Sequence, residues 1–153
     1  MVRIMFVCHG NICRSPMAEF IMRDMVQKAG RNDITVSSSA TSTEEIWGKV
    51  GNPVYPPVKK LLEVKGIDCG AKRAVQLKKS DYGKYDLILV MDSNNLCNAL
   101  RIFGGDPEDK VRKLMQLTGS NRDVADPWYT RDFETTYKDV CDGCEGLLKC
   151  ILR

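Results

Sequence analysis

VRIMFV, residues 2–7, runs straight into CHGNICRS, residues 8–15. The first stretch is an almost continuous apolar run, the pattern of a strand covered on both faces. The second is polar and carries Gly10 and Asn11. Pro16 then suits the first turn of a helix, with Ser15 or Arg14 where a cap would sit. Met17, Ala18, Ile21, Met25, Val26 and Ala29 recur at helical spacing, and Gly30 ends the run. The chain therefore opens as strand, tight loop, helix. The loop leaves the carboxyl end of a buried strand, which is where open α/β sheets bind ligands.

The remaining pattern alternates in the same way. ITVSSSA at 34–40 reads as a strand, 57–65 as a helix, YDLILVMD at 85–92 as the clearest strand and 93–103 as a helix. A weaker strand is expected over 111–115, and Phe133 to Ile151 carries one long amphipathic helix. Thr41 to Pro57 is irregular and too long for a simple connector, so it is a candidate functional loop. Alternating strands and helices predict an α/β fold with a parallel sheet and helices on both faces.

At 153 residues the chain reads as one domain over 1–153, large enough to bury a core without disulfides. Its 43% apolar and 28% charged content belong to a globular protein. No apolar stretch approaches a bilayer span, and the N-terminal run is too short for a signal peptide, so a cytoplasmic protein with no membrane partner is expected. A net charge of +3 is too mild to argue for nucleic acid, and the Lys pairs at 59–60 and 78–79 read as solvated helix faces. Seven cysteines, an odd number, argue against a disulfide scaffold. Cys141, Cys144 and Cys150 resemble a metal cluster, but structural zinc takes four Cys or His ligands and His9 is the only histidine. Cys141 and Cys144 also fall on a helical apolar stripe, so they are expected to pack in the core, and no metal is expected.

Cys8 and Arg14 stand in the spacing Cys-x5-Arg. A loop that tight turns successive backbone N–H groups inward as an anion nest. The following helix adds the partial positive charge of its N-terminus. Arg14 adds a planar fork that grips two phosphate oxygens at once. The set suits a tetrahedral dianion such as phosphate. Helix N-termini and nearby cations favour the thiolate of a cysteine, and Cys8 would lie under the bound phosphorus for in-line attack. Gly10 is expected to supply positive φ and a close approach of backbone to ligand. Asn11 tolerates left-handed geometry and can brace the loop, and Ser15 can donate to the Cys8 sulfur. Cys-x5-Arg alone is a weak signal. The preceding strand, the interior Gly-Asn, the Ser-Pro and the helix make it specific.

CHGNICRSPMAE, residues 8–19, resembles the signature of the low-molecular-weight protein tyrosine phosphatases. VSSSATS, GNP at 51–53, LVMDSNN and ADPWY follow in that family's order, so the resemblance spans essentially the whole chain. It implies a four-stranded parallel sheet flanked by helices, a two-step reaction through a phosphocysteine, and no metal or cofactor. It implies phosphotyrosine proteins or peptides as substrates, with inorganic phosphate and similar oxyanions binding the loop. A monomer is expected.

Such a reaction needs a proton for the leaving phenolate. ADPWY at 125–129 sets a carboxylate ahead of a proline, and Asp126 resembles the family's general acid. Asp106–Pro107 carries the same dipeptide and reads as a turn. Trp128 and Tyr129 are read as an aromatic wall for the tyrosine ring, with Ile12 opposite. In the protein-arginine-phosphatase relatives the Ile12 position resembles Thr and the aromatic pair is altered, so these residues favour phosphotyrosine. Trp47, in the long loop, matches an aromatic that lines the slot. Glu44 and Glu45 nearby would repel acidic residues flanking the phosphotyrosine.

The family carries a His in the segment matching AKRAVQL, where it braces the phosphate loop; here that place is taken by Lys72, a donor only. Ser38 matches a further Ser of that network, and Asp92 in LVMDSNN is a supporting residue. His9 is read as a wall or solvent-facing residue, since a base there serves no step of the scheme. Cys13 matches a cysteine that forms a reversible disulfide with the nucleophile in this family; simple packing beneath the loop is the alternative. Two other functions share the signature or its ligand besides arginine phosphatase. A thioredoxin-linked arsenate reductase needs two further cysteines after the third strand, where only Cys97 stands. A non-catalytic phosphotyrosine-binding module would be expected to lack Cys8, Arg14 or Asp126.

Overall fold

The computed structural model describes all 153 residues. β1 (Val2–Cys8) is an inner strand of a four-stranded sheet, buried from Ile4 to Cys8. Its side chains divide between two cores: Ile4, Phe6 and Cys8 on one face, Met5 and Val7 on the other. Two-sided burial from Ile4 onward is why the strand reads as an apolar run, interrupted only by the exposed Arg3. β2 (Ile34–Ala40) pairs with β1 in parallel, from Val2↔Ile34 to Cys8↔Ala40. A small hairpin, β3 (Ile46–Trp47) and β4 (Val50–Gly51), stands apart from the sheet. β5 (Leu87–Val90) lies on the other side of β1, and β6 (Val111–Lys113) outside β5, both parallel.

The sheet order is therefore β2-β1-β5-β6. The chain passes from β1 to β2 on one side and later returns to β5 on the other. At this reversal the loops after β1 and β5 diverge over a crevice. α1 (Arg14–Lys28) and the long α5 (Phe133–Ile151) pack together over one face, with α2 (Pro56–Val64) against α5. α3 (Ser93–Phe103) covers the other face, where Ala99 and Phe103 meet Val7, Ile88 and Val90. Burying one large side chain such as Phe6 or Leu89 contributes about 1.5–3 kcal/mol. No helix is long and apolar enough to cross a membrane.

Some boundaries differ from the pattern in the sequence. The strand expected over 85–92 forms only over Leu87–Val90, and the one expected over 111–115 turns at Leu114 into a 3-10 helix, Leu114–Thr118. The 41–57 stretch is not wholly irregular, since it holds the hairpin. α1 begins at Arg14, so its cap is Cys13, not Ser15 or Arg14, and no side chain caps it. The Ser15 hydroxyl is engaged elsewhere, with Cys8 and Asn11. Asp106 does close a turn, accepting from the Lys110 and Val111 amides and from Tyr82 Oη. Cys144 is fully buried in the larger core, with Cys141 packed against it.

Two glycines inside α5 cost helix propensity, and their reason is a neighbour. α5 crosses the Leu114–Thr118 turn so closely that a Cβ at Gly146 would drive into the Leu117 carbonyl oxygen, while one at Gly143 meets the more yielding Leu114 side chain. Gly146→Ala is therefore expected to destabilise by about 1–3 kcal/mol, despite alanine's better propensity. A urea midpoint unchanged or raised would show that the crossing relaxes freely.

Candidate active site

The site grows from the end of β1. Cys8 is the last residue of the strand, residues 9–13 form the loop, and Arg14 opens α1. Asn11 takes the turn's left-handed conformation, at φ 58°. Gly10 does not adopt positive φ, contrary to its expected role; a Cβ there would instead crowd Glu45 Cγ at 3.1 Å. The need at Gly10 is thus for space beside the 41–57 segment.

Around Cys8 the polar atoms converge. Ser15 Oγ lies 3.0 Å from Cys8 Sγ, and the Asn11 amide donates to that sulfur at 3.3 Å. Asn11 Nδ2 donates both to Ser15 Oγ (2.8 Å) and to Ser38 Oγ (2.9 Å), while Asn11 Oδ1 accepts from the Val75 amide. With Asn11 occupying Ser15 as donor, the Ser15 proton is free to point at the sulfur. Asn11 is 1% exposed, so each of these bonds is shielded from water.

The brace continues inward to a residue the sequence reading missed. Ser38 Oγ donates to Glu19 Oε1 at 2.5 Å. Glu19 also pairs with Arg23 Nη2 (2.7 Å) and lies 3.7 Å from Lys72 Nζ. Lys72 donates to the Ser38 carbonyl at 3.0 Å, so it reaches the brace through Ser38 backbone and Glu19, not through Asn11. Burial pushes the Lys72 ammonium below the ordinary lysine value, with the Glu19 charge opposing.

Arg14 is 3% exposed. Its Nη1 donates to Asp92 Oδ2 and to the Val124 carbonyl, each at 2.8 Å, and its Nη2 approaches Asp126 Oδ2 at 3.5 Å. Nε and the rest of Nη2 are uncommitted. Burial alone would lower the Arg14 pKa, but Cys8, Asp92 and Asp126 outweigh it and hold the guanidinium charged. Asp92 does two jobs with one carboxylate, since its Oδ1 also caps α3 by accepting from the Asn95 amide at 2.7 Å.

Asp126 comes from the far end of the chain. The Val124 amide donates to Met91 O, and Thr136 Oγ1 donates to Ala125 O, fastening this segment to β5 and α5. Arg122 adds a two-pronged pair to Asp139 on α5, at 2.7 and 2.9 Å. Asp126 then caps the short α4 (Pro127–Thr130), accepting from the Trp128 amide at 3.0 Å.

These groups line one cavity of about 390 Å³. Cys8, Cys13 and Arg14 line it with Asp126; Ile12, Trp128 and Tyr129 line it with His9, Gly10, Glu44 and Glu45. His9 sits on the rim, half-exposed, 2.9 Å from Glu44. Cys13 is a free thiol whose pKa is pushed far up, first by burial and then by the Cys8 charge, so it stays protonated. Trp47 does not join this group. It is 74% exposed on β3, paired with Val50, and lines no wall of the cavity. The hairpin turns its indole outward and brings Glu44 and Glu45 to the rim instead.

A buried cation, inward-turned loop and adjacent thiol can hold a tetrahedral oxyanion over a sulfur. The model for the low molecular weight phosphotyrosine protein phosphatases matches residues 3–153. The chain belongs to that family. It is 34% identical to the low molecular weight protein-tyrosine-phosphatase YfkJ of Bacillus subtilis, with 100% of this chain and 97% of that protein covered. The crystal structure of YfkJ superposes with a TM-score of 0.91, covering 99% of this chain and 95% of that one. SP-PTP, the low molecular weight protein tyrosine phosphatase of Streptococcus pyogenes, gives 0.87 at 35% identity, over 100% and 95%. The YwlE arginine phosphatase, in a mutant with a phosphorylated active site serine, gives 0.85 at 26% identity, over 99% and 97%.

Proposed function

We propose that this protein hydrolyses phosphotyrosine in proteins through a phosphocysteine intermediate. The observation that carries the reading is the convergence of Cys8, Arg14 and Asp126 on one cavity whose upper walls are Ile12, Trp128 and Tyr129. The loop amides and Arg14 receive the phosphoryl oxygens and neutralise the charge of the transferring group. Cys8 thiolate attacks phosphorus in line with the phenolic oxygen; the S–P bond forms, the P–O bond breaks, and Asp126 gives its proton to the leaving oxygen. Water then attacks the phosphorus while Asp126 takes a proton back; a P–O bond forms, the S–P bond breaks to return the Cys8 thiolate, and inorganic phosphate departs. The Ser15 hydroxyl, 3.0 Å from Cys8 Sγ, supports negative sulfur both as attacker and as leaving group.

Ile12 and the Trp128 and Tyr129 rings offer apolar faces to an aryl ring, and these faces favour phosphotyrosine. Free phosphate and similar oxyanions should occupy the same loop as product analogues. Seven free cysteines suit a reducing compartment, and the reading is of a cytoplasmic monomer needing no cofactor. A peroxide would oxidise Cys8 to the sulfenic acid and so remove the Cys8 charge that helps keep Cys13 protonated; the Cys13 sulfur would then displace water to close a disulfide.

Phosphate release from matched peptides carrying phosphotyrosine or phosphoarginine tests the substrate class. Phosphotyrosine is expected to be favoured by at least about 10²-fold, the scale of a pocket built for one polar pattern. Preference for phosphoarginine would keep the loop chemistry and overturn the role given to Ile12 and Trp128.

A further inference from the structure

A second depression adjoins the catalytic cavity, and the chemistry above gives it no occupant. It encloses about 260 Å³ and shares Ile12, Glu45 and Trp128 with that cavity. Asn52, Pro53, Tyr55 and Pro56 complete its lining. The trough is built in advance. The Tyr55 amide donates to Ile12 O at 2.8 Å, tying its floor to the phosphate loop. The Tyr55 ring packs on Trp128 with centroids 5.2 Å apart, and Tyr55 Oη accepts from Arg131 Nη1 at 3.0 Å. Asn52 donates through its amide to Glu45 O and through Nδ2 to Glu45 Oε2, at 2.8 and 2.7 Å. Groups already ordered add little entropic cost on binding.

The charged side chains that line this boundary are acidic, while the nearby Arg131 guanidinium is engaged with Tyr55 Oη and the Trp128 ring. Glu45 stands between the two cavities and Glu44 on the rim, and neither pairs with a lysine or arginine. Apart from Arg14 at the base, no lysine or arginine lines either cavity.

We propose that the trough is a substrate subsite, taking an apolar side chain next to the phosphotyrosine while a nearby lysine or arginine of the substrate pairs with Glu45 and Glu44. The proposal rests on the phosphotyrosine reading. A ring held between Ile12 and Trp128 has its backbone at their outer edge, and the trough begins on the other side of that edge. Residues of an extended peptide advance by about 3.3–3.6 Å each, so the adjoining side chain falls within its reach. An acidic peptide meets like charge there.

The test compares kcat/KM for p-nitrophenyl phosphate with that for phosphotyrosine peptides of equal length, in wild type, Pro56→Asp and Glu45→Gln. One peptide pair differs by Leu or Gly beside the phosphotyrosine, another by Lys or Glu two residues away. Each peptide value is divided by the same variant's aryl phosphate value. Wild type should favour Leu and Lys by about tenfold each, the scale of one filled apolar contact. Pro56→Asp should bring the Leu preference below about twofold, and Glu45→Gln the Lys preference. Flat peptide ratios in a wild type that turns over the aryl phosphate would overturn the subsite and leave the phosphotyrosine reading standing. No turnover of aryl phosphate or any peptide would remove that reading and the subsite with it.

Discussion

Cys8→Ser is expected to abolish turnover, by about 10⁴-fold or more in kcat, while oxyanion binding survives. The scale is that of removing a covalent nucleophile from a hydrolase. The reason is in the contacts at position 8. Its sulfur has two hydrogen-bond partners: the Asn11 amide, which donates to it, and the Ser15 hydroxyl, which accepts from Asn11 Nδ2 and so has its own proton to give. No base lies within hydrogen-bond reach: His9, the sole histidine, is on the rim with Glu44. Thiols are more acidic and more nucleophilic than alcohols, so a serine hydroxyl with no base beside it is a poor replacement. The anion-holding groups are untouched, because they are backbone amides and Arg14, which is fixed independently by Asp92 and Val124 O. Calorimetric titration of the variant with inorganic phosphate, beside steady-state rates on an aryl phosphate, reads both arms. Retained turnover would remove Cys8 from the chemistry; loss of phosphate binding would show that the sulfur, not the loop, holds the anion.

The opening strand, loop and helix were legible because their signals are local. β1 is buried on both faces from Ile4 onward, so those residues are all apolar, and the Cys-x5-Arg spacing lies within one tight turn. The β3–β4 hairpin was not legible. Two-residue strands have no periodicity to read, and Trp47 looked like a wall residue only by its place in a loop. Its neighbours Gly48, at φ 64°, and Val50 turn it to solvent.

Glu19 shows where a missed residue still left a signal. It lies four residues after Ser15 and three before Met22, on a stripe that is buried throughout. A carboxylate on a buried helical stripe needs partners, and one helical turn from a phosphate-loop serine those partners belong to the site. Which ones could not be read: Ser38 and Lys72 reach Glu19 only through the parallel pairing of β1 with β2 and the return of the chain near residue 72. The Val124 carbonyl that fixes Arg14 left no signal, since every residue has a carbonyl. Asp126 was placed by its resemblance, not by pattern, and its sequence neighbours alone would read as a turn.

Asp126→Asn is expected to slow poor leaving groups by about 10²–10⁴-fold and good ones much less. Asparagine is the discriminating change because the geometry tolerates it. Its side-chain oxygen can still accept from the Trp128 amide and cap α4, so the mouth of the cavity keeps its shape. What it cannot do is give a proton to a phenolate or take one from water. With p-nitrophenyl phosphate, whose leaving oxygen needs little help, the first step should stay fast while hydrolysis of the phosphocysteine slows. The variant should then release a burst of nitrophenol close to the enzyme concentration, followed by a slow steady rate. With phenyl phosphate no burst should appear, because S–P bond formation has itself become limiting. Across a series of aryl phosphates, log kcat/KM should fall steeply with leaving-group pKa in the variant and shallowly in the wild type. Parallel slopes would mean that Asp126 only orders the α4 segment and holds Arg14 in place, and the proton would then have to come from elsewhere in the cavity. The remaining carboxylates there are Glu44 and Glu45 on the rim, one paired with His9 and the other with Asn52. Asp126, with its second oxygen 3.5 Å from the arginine that holds the phosphoryl group, is the carboxylate that shares the transferring group's surroundings.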